Sequence, residues 1–306
     1  MSRLSPSRFT LAITALVAAG VLVLAGCGGD DDDSSSTATT EAAVTAEPAT
    51  ATAPNVVTIT AADFSFDLPK QVPAGHTEIV LENSGAETHQ AALVRLADGA
   101  TAEQFLGALA ADFGSAAQYG TFVAGPNEAV PAGSNSVVSD LEPGNYLVLC
   151  LIPSPADGTP HAIKGMQAPL QVVAAEGETT TATVDEDAPT LTLQDFSFDL
   201  PEDYDGGPLH VINKGSQNHE VAIVGLPEGV EIADVIDSTV PIFTPAKGPA
   251  PYTDVAGTTM IAPGGSTFMD PQLAPGRYAM LCFLPDTTNP STDHLHNGMA
   301  TVFTVT

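Results

Sequence analysis

The heptapeptide DFSFDLP occurs twice in this chain of 306 residues, at Asp63–Pro69 and, 132 residues later, at Asp195–Pro201. Three further stretches repeat after it in the same order. They pair ENSGAETHQAALVRL (Glu82–Leu96) with INKGSQNHEVAIVGL (Ile212–Leu226), LEPGNYLVLC (Leu141–Cys150) with LAPGRYAMLC (Leu273–Cys282), and HAIKGM (His161–Met166) with HLHNGM (His294–Met299). The chain therefore contains two tandem copies of one domain, which we call the first copy and the second copy.

Each copy has the sequence pattern of a β domain. Short alternating or apolar runs are separated by Pro, Gly and Asn; in the first copy they are Val56–Thr60, Thr77–Glu82, His89–Leu96, Ser136–Ser139, Asn145–Leu149 and Gln167–Val173. This pattern predicts an all-β fold for each copy, a sandwich or barrel of antiparallel strands.

The first copy also has the pattern of one short helix. Thr101 and Gln104 form a capping box ahead of the run FLGALAADF, and Gly114 offers a C-terminal stop. The second copy has only a weak counterpart, around Glu231–Asp237. We therefore predict a short helix inserted in the first copy.

The N-terminus has the features of a bacterial export signal. Arg3 and Arg8 precede an uncharged run from Phe9 to Leu24, which is short for a membrane span and typical of a secretory signal. The sequence LAGC at 24–27 resembles the lipobox of bacterial lipoproteins, which implies cleavage before Cys27 and lipid attachment to it. We predict a signal peptide over 1–26 and an extracytoplasmic protein anchored to the bacterial cell membrane by lipid at Cys27. The alternative is a plain signal peptide with an incidental cysteine.

Composition divides the rest of the chain. Residues 27–54 contain no aromatic and almost no large apolar residue, which predicts a disordered tether. A polar stretch near Ala174–Pro189 separates the two copies, so we place domain 1 at 55–175 and domain 2 at 176–306. The whole chain has 37 acidic and 8 basic residues, and this charge excludes nucleic acid as a partner because phosphates are repelled.

Apart from Cys27, the cysteines are Cys150 and Cys282, one in each copy at equivalent positions. A disulfide between them would have to form across the domain boundary, so we do not expect one. Period-two alternation places Tyr146, Val148 and Cys150 on one face of a strand, and the second copy repeats this spacing. Each thiol is then either a small buried hydrophobe or a metal ligand.

Histidine and methionine recur in the same order around each of these cysteines. The sets are His89, Cys150, His161 and Met166 in the first copy, and His219, Cys282, His294 and Met299 in the second. Two imidazoles, one thiolate and a weak thioether form the donor set of a blue-copper site. Each histidine or methionine taken singly is equally compatible with an ordinary strand end, loop or core position. The recurring sets predict up to one copper ion in each copy.

These motifs resemble those of the cupredoxin family, of the plastocyanin and azurin type. The matching stretches are NSGAETH and NKGSQNH, PGNYLVLC and PGRYAMLC, and HAIKGM and HLHNGM. The resemblance covers nearly all of residues 55–306. It implies a Greek-key β-sandwich in each copy, with the two four-residue sets as metal ligands at one end. It also implies electron transfer or copper handling, with a redox or copper-handling protein as partner.

Two features differ from that family. Ten and eleven residues separate the cysteine from the second histidine in the two copies, where most cupredoxins have only a few. Lengthening such a loop from about three to ten residues costs on the order of 1 kcal/mol, which metal coordination exceeds. In addition, Gln90 and Glu220 follow the first histidine, where the family often has an asparagine that braces the metal loop.

Three histidines fall outside the two sets. His296 has Ile163 as its counterpart in the first copy, so it is either a reserve ligand or a residue facing solvent. His76 and His210 have no counterpart in the repeat, and we expect no functional role for them.

Two other classes of function remain to be weighed. Multicopper oxidases and nitrite reductases need histidines beside the cysteine, whereas Leu149 and Leu151 flank Cys150, and Leu281 and Phe283 flank Cys282. Too few histidines then remain for a trinuclear centre, so we expect the chain not to be an enzyme. The other class is a metal-free β-sandwich lipoprotein that serves adhesion or contacts another envelope protein.

Overall fold

The computed structural model describes residues 55–175, 182–239 and 248–306. The predicted signal peptide (1–26), the lipidation site Cys27 and the predicted tether (27–54) lie outside the described residues. The predicted boundary between residues 175 and 176 borders undescribed residues and stays a prediction. Within the described residues, no helix is long and apolar enough to cross a membrane.

The first copy is built mainly of strands. Its elements are β1 (Val56–Ala62), β2 (Ser65–Asp67), β3 (Gln71–Pro73), β4 (Gly75–Asn83), β5 (Ala92–Leu96), α1 (Ala102–Ala111), a 3-10 helix (Phe113–Gln118), β6 (Gly120–Phe122), β7 (Ser134–Leu141), β8 (Gly144–Leu149) and β9 (Gln167–Val173). The six runs predicted from sequence correspond to β1, β4, β5, β7, β8 and β9. Strand β5 starts later than predicted, because His89 pairs with Ala129 in an isolated bridge before the strand begins.

The second copy repeats this order. Its elements are β10 (Thr190–Gln194), β11 (Ser197–Asp199), β12 (Leu209–Asn213), β13 (His219–Gly225), α2 (Ile232–Ser238), β14 (Thr253–Ile261), β15 (Ser266–Met269), β16 (Gly276–Leu281) and β17 (Ala300–Val305). The weak helical pattern of the second copy is thus a real helix, α2, which lies in the same place along the chain as α1.

Each copy is a β-sandwich with one sheet of its own and half of a sheet that both copies share. The first copy has the sheet β3-β9-β8-β5-β6, the second has β14-β13-β16-β17, and the shared sheet runs β11-β10-β12-β15-β7-β4-β1-β2. Connections such as β4 to β5 and β7 to β8 cross from one sheet to the other, so the two sheets of each copy pack as a sandwich. The all-β prediction is confirmed.

The expectation of antiparallel strands throughout is wrong for three strand pairs. Strands β1 and β4 run parallel, as do β10 and β12 in the second copy and β3 and β9 in the first. Between β1 and β4 the chain crosses into the other sheet through β3 and then returns in its original direction. Parallel pairing is possible here because the intervening segment is long enough to make that crossover.

The repeated heptapeptide forms the hairpin between the first two strands of each copy. Asp63 and Phe64 make the turn between β1 and β2, and Phe64 has a positive φ of 65°. Phe196 has a φ of 66° in the equivalent turn. A bulky residue in this left-handed region is strained, and such a conformation persists only when surrounding contacts hold it in place.

Helix α1 begins where the sequence predicts. Thr101 Oγ1 accepts a hydrogen bond from Gln104 N, and the Gln104 side chain accepts one from Thr101 N, which completes the capping box. The predicted stop at Gly114 is wrong. The helix ends at Ala111. The next residue, Asp112, accepts a hydrogen bond from Ser115 N through its carboxylate and caps a 3-10 helix that includes Gly114.

The two copies are joined first through the shared sheet. Strand β7 of the first copy pairs with β15 of the second copy at Val138 and Phe268. The Ser139 and Thr267 hydroxyl groups lie 2.8 Å apart across this junction and are both buried. Buried side chains of both copies accordingly belong to one continuous apolar core.

A second junction joins the chain segment after β6 to strand β14. Asn127 N donates to Gly257 O at 3.1 Å, and Thr259 N donates to Gly125 O at 2.8 Å. Gly257 and Thr259 are the counterparts of Gly125 and Asn127 in the repeat. Each copy therefore donates the same hydrogen bond to the other copy. The copies are therefore related by an approximate two-fold axis at this junction.

Gly125 gives a test of how tightly the segment after β6 packs against the residues before β5. A Cβ atom at Gly125 would lie 2.1 Å from the Ala91 carbonyl oxygen, so the backbone must shift to accept it. We expect Gly125→Ala to lower the free energy of unfolding by about 1–3 kcal/mol. Gly107→Ala is the matched control: it lies inside α1 with nothing within 4 Å of the added atom, and it should raise that free energy by up to about 1 kcal/mol. Chemical denaturation measures both, and equal stability of the two variants would contradict the packing described here.

Candidate metal centres

Three of the predicted ligands of the first copy meet in the protein interior. The Nδ1 atoms of His89 and His161 lie 3.1 Å apart, and Cys150 Sγ lies 3.4 Å from His161 Nδ1. All three donor atoms lie within 4.8 Å of one another, and all three residues are 0% exposed. We call this group site 1.

The second copy holds the same arrangement. The Nδ1 atoms of His219 and His294 lie 3.1 Å apart, and Cys282 Sγ lies 3.3 Å from His294 Nδ1. These donors also lie within 4.8 Å of one another and belong to fully buried residues. We call this group site 2.

Both cysteines follow the last residue of a core strand, as the sequence predicts. Cys150 follows β8 and receives a hydrogen bond from Gln90 N at 3.5 Å. The tyrosine four residues earlier points inward, and its hydroxyl donates to a backbone carbonyl, from Tyr146 to Glu142 O and from Tyr278 to Ala274 O. Cys150 and Cys282 are free, so the expectation that they form no disulfide is confirmed.

The long loops between cysteine and second histidine do not displace the histidine. In the first copy, Ala162 N donates to Cys150 O at 2.7 Å and His161 N donates to Ile152 O at 3.0 Å, while Pro153 and Pro160 form a bridge. The extra residues therefore form a loop whose two ends are paired with each other. The loop of the second copy closes in the same way, with a bridge between Pro285 and Asp293.

The first histidine of each site is positioned by the asparagine six residues before it. Asn83 Nδ2 donates to Glu87 O and to Ala129 O, and Asn213 Nδ2 donates to Gln217 O and to Ile261 O. These bonds fix the loop that leads into His89 or His219. Asparagine thus braces the loop before the first histidine, which is a different loop from the one between cysteine and second histidine.

The residue after the first histidine differs between the copies and also contacts the cysteine segment. Gln90 does so through its backbone N–H, as described above. In the second copy the buried Glu220 carboxylate accepts a hydrogen bond from Phe283 N at 2.9 Å, and Phe283 directly follows Cys282. Residues 90 and 220 therefore support the sites without being asparagine.

The aspartate of the repeated heptapeptide contacts the far nitrogen of the first histidine, a role that sequence reasoning missed. Asp63 Oδ1 lies 3.1 Å from His89 Nε2, and Asp195 Oδ1 lies 2.8 Å from His219 Nε2. Burial raises the pKa of Asp195, but hydrogen bonds from Ser216 and His219 outweigh burial and lower this pKa to about 2. The Asp195 carboxylate is therefore ionised and accepts a hydrogen bond from the His219 imidazole.

The phenylalanine next to that aspartate packs against the second histidine. The Phe64 and His161 ring centroids lie 5.3 Å apart, and those of Phe196 and His294 lie 5.1 Å apart. The strained turn thus places Asp and Phe over the two imidazoles of one site. A sequence signal existed, because DFSFDLP is repeated without a single change.

The far nitrogen of the second histidine has a different partner in each copy. His161 Nε2 lies 2.7 Å from Glu87 Oε2, whereas His294 Nε2 lies 3.5 Å from Gln217 Oε1. Glu87 and Gln217 are counterparts in the repeat, two residues before the first histidine. Sequence reasoning missed both residues, although the substitution is visible in the aligned stretches.

The hydrogen-bond pattern at the far nitrogens determines which nitrogen carries the proton. Each Nε2 faces an oxygen that can only accept, so each Nε2 carries the proton and each Nδ1 presents a lone pair. Two lone pairs then face each other at 3.1 Å in a buried space, with only the cysteine thiol to supply a hydrogen. A cation between the donors satisfies all of them.

Burial favours the neutral form of both thiols and of the second histidine of each site when no metal is bound. It raises the pKa of Cys150 to about 12, and it raises that of Cys282 with a further contribution from Glu220. Burial also lowers the pKa of His161 against the opposing effect of Glu87. Burial and the neighbouring His219 lower the pKa of His294 to about 4. The imidazoles of His161 and His294 are therefore ready to donate at neutral pH, and each thiol must first lose its proton.

The donor set fits copper. Metal–nitrogen and metal–sulfur bonds of about 2.0–2.3 Å allow donors 3.1 to 3.4 Å apart to share one ion. Two imidazoles and a thiolate with a weak axial thioether are the ligands of blue-copper sites. Met166 and Met299 are fully buried, and their backbone N–H groups donate to His161 O and His294 O. Their role as thioether ligands stays a prediction.

The remaining predicted residues lie elsewhere. His296 Nδ1 lies 2.8 Å from the Asp293 carboxylate and is not part of site 2. His210 stacks on Phe268 at 4.2 Å between ring centroids, and His76 lies near the same ring, where the two copies meet. Lipidation at Cys27 stays a prediction.

Comparison with known proteins finds similarity only among solved structures. No family of known sequences and no curated protein matches the chain. A dithionite-reduced auracyanin from Roseiflexus castenholzii is 22% identical, with 40% of this chain and 98% of the auracyanin covered and a TM-score of 0.29. A multicopper oxidase is 16% identical over 82% of this chain and 88% of its own, with a TM-score of 0.22. A copper-containing nitrite reductase from Thermus scotoductus SA-01 is 11% identical over 74% and 57%, with a TM-score of 0.21.

The expectation that the chain is not an enzyme is contradicted, because the solved structures that the chain matches include a multicopper oxidase and a copper-containing nitrite reductase. The number of histidines excluded only a trinuclear copper centre formed within a single chain. It did not exclude every kind of copper enzyme. The strand topology and the two His–Cys–His groups make the described chain a tandem pair of cupredoxin-like domains.

Proposed function

We propose that this chain is an extracytoplasmic, lipid-anchored copper protein that holds up to one copper ion at each site and serves electron transfer or copper handling. One observation carries the proposal. In both copies, two imidazole lone pairs and a thiol converge in a fully buried space, where neither Nδ1 has a hydrogen-bond partner among the described residues other than the neighbouring donors. The predicted ligands are His89, Cys150, His161 and Met166 at site 1, and His219, Cys282, His294 and Met299 at site 2.

The residues around each site would restrict its rearrangement. Bound copper supplies a one-electron redox couple. Asp63 and Asp195 fix the orientation of the first imidazole, and Phe64 and Phe196 pack against the second imidazole. Complete burial of the donors excludes water from the site. A rigid, dry site changes little when its charge changes by one electron.

Location at the membrane rests on the N-terminal sequence. The lipobox-like LAGC at 24–27 supports lipid attachment at Cys27, and the polar residues 27–54 would keep the sandwiches away from the bilayer. The strong negative charge of the chain favours a cationic surface on a redox or copper-handling partner.

Copper titration of the mature protein tests the proposal directly. We expect two equivalents of Cu²⁺ to bind with strong visible absorption from the thiolate, and one equivalent in each of the Cys150→Ser and Cys282→Ser variants. Metal analysis and the visible spectrum measure both quantities. If the unaltered protein takes up no stoichiometric copper and its thiols stay inert, the alternative of a metal-free sandwich replaces this function.

Metal binding should release protons in a predictable number. Because burial raises the pKa of Cys150 to about 12 and also raises that of Cys282, both thiols are protonated in the metal-free protein at pH 7. Each metal ion should therefore displace about one proton, and affinity should rise about tenfold per pH unit from pH 7 to 9. A pH indicator in weak buffer measures the release. The Cys150→Ala/Cys282→Ala double variant should release none, and release by that variant would show that the thiols are not ligands.

The aspartates that contact the first histidines should matter for affinity. Loss of the carboxylate in Asp63→Asn or Asp195→Asn leaves the imidazole less well oriented and less basic, which we expect to weaken copper binding at that site by about 10–100-fold. Asp67→Asn and Asp199→Asn are matched controls, since these exposed residues belong to the same heptapeptide. Competition with a copper chelator measures the affinities. Equal losses in all four variants would indicate a general charge effect.

A further inference from the structure

Sites 1 and 2 share their donors and their Asp–Phe turn, yet they differ at one direct contact with a donor imidazole. At site 1 the Glu87 carboxylate lies 2.7 Å from His161 Nε2. At site 2 the neutral Gln217 amide oxygen lies 3.5 Å from His294 Nε2, which is the outer limit of a hydrogen bond. The two copies therefore differ in the charge placed at the far nitrogen of the second imidazole.

Glu87 is free to bond its histidine, whereas Gln217 is engaged elsewhere. The Glu87 side chain is 23% exposed and receives one other hydrogen bond, from Ser154 Oγ at 3.3 Å. Gln217 is 7% exposed, and its oxygen accepts hydrogen bonds from Thr287 N and Thr287 Oγ1, both at 2.6 Å. Its amide nitrogen donates to Asp286. Gln217 thus anchors the long loop of the second copy and gives His294 little support.

A carboxylate on the far nitrogen of an imidazole makes the near nitrogen a stronger donor and places negative charge close to the metal. Both effects favour the oxidised ion, which carries the higher positive charge. A neutral amide at a longer distance has neither effect to a comparable degree. The oxidised state is therefore stabilised more at site 1 than at site 2.

The residue after the first histidine opposes this difference in reduction potential, but it acts less directly. Glu220 lies beside site 2, where its counterpart in the first copy is the neutral Gln90. Glu220 bonds a backbone N–H group, that of Phe283, and not a donor imidazole. A contact made directly with a ligand ring has the greater effect on the metal, so the contrast between Glu87 and Gln217 sets the order.

We propose that Glu87 and Gln217 give the two copper sites different reduction potentials, with site 1 the lower, so that one electron added to the oxidised protein resides at site 2. This inference rests on the proposed copper function. An external one-electron donor supplies the electron that reduces the protein. When that electron moves between the sites, site 1 loses one electron and site 2 gains it. Glu87 and Gln217 are positioning residues, since each acts through a histidine.

Single-site proteins allow each potential to be measured alone. Cys282→Ser leaves site 1 and Cys150→Ser leaves site 2, and each copper-loaded protein is titrated with redox mediators while the visible band is followed. We expect site 1 to have the lower reduction potential. In the protein reduced by one electron, molecules with site 2 reduced should outnumber those with site 1 reduced by at least ten to one. A tenfold ratio corresponds to about 59 mV for a one-electron couple.

Reciprocal substitutions identify the cause. Glu87→Gln should raise the potential of the site 1 protein, and Gln217→Glu should lower that of the site 2 protein. Glu87→Gln keeps the size of the side chain and is the decisive variant. Gln217→Glu also replaces the hydrogen bond to Asp286 with a contact between two carboxylates. Glu82→Gln is the control for charge alone, since Glu82 is exposed on β4 and makes no contact with a donor histidine. Glu220→Gln measures the opposing contribution.

The outcomes separate this inference from the function on which it rests. If neither single-site protein binds copper, both the function and the inference are overturned. If both bind copper but their potentials are equal or reversed, the function stands and the inference fails. The inference also fails if Glu87→Gln leaves the potential unchanged, or if Glu82→Gln shifts it as much.

Discussion

The architecture depends on the burial of two imidazoles and a thiol with no access to water. A buried polar group without a partner costs about 1–3 kcal/mol, so three such groups together would destabilise each copy severely. The structure satisfies the far nitrogens with Asp63 and Glu87 in the first copy, and Gln90 N donates to Cys150 Sγ, but the two near nitrogens are left facing each other. A cation bound between them would accept electron pairs from all three donors at once.

The strained turn of the heptapeptide follows from this constraint. Asp63 and Phe64 must reach two different rings, and they do so because the turn is tight and holds Phe64 at a positive φ. The contacts of both side chains compensate for the strain. The same turn recurs at Asp195 and Phe196. The heptapeptide is thus identical in the two copies because both sites require its Asp and Phe contacts, in addition to the hairpin that it forms.

Much of the fold and the inner part of each site could be predicted from the sequence. The duplication, the β pattern, and the convergence of His89, Cys150 and His161 all follow from spacing and order. The contacts of Asp63 and Glu87 could not be predicted, because they depend on which loops lie next to each other at the end of the sandwich. The end of α1 was missed because Asp112 starts a second helix before Gly114 is reached. The junction at Gly125 involves pairing between copies, which no periodicity within one copy reveals.

The approximate two-fold axis at the junction has a consequence for the history of the chain. Two identical polypeptides joined about such an axis would carry identical centres, and any substitution would alter both. Covalent duplication removes that restriction while keeping the same interface. Each half can then acquire its own substitutions, as Glu87 and Gln217 illustrate, and one molecule can contain two chemically distinct centres in a fixed spatial relation.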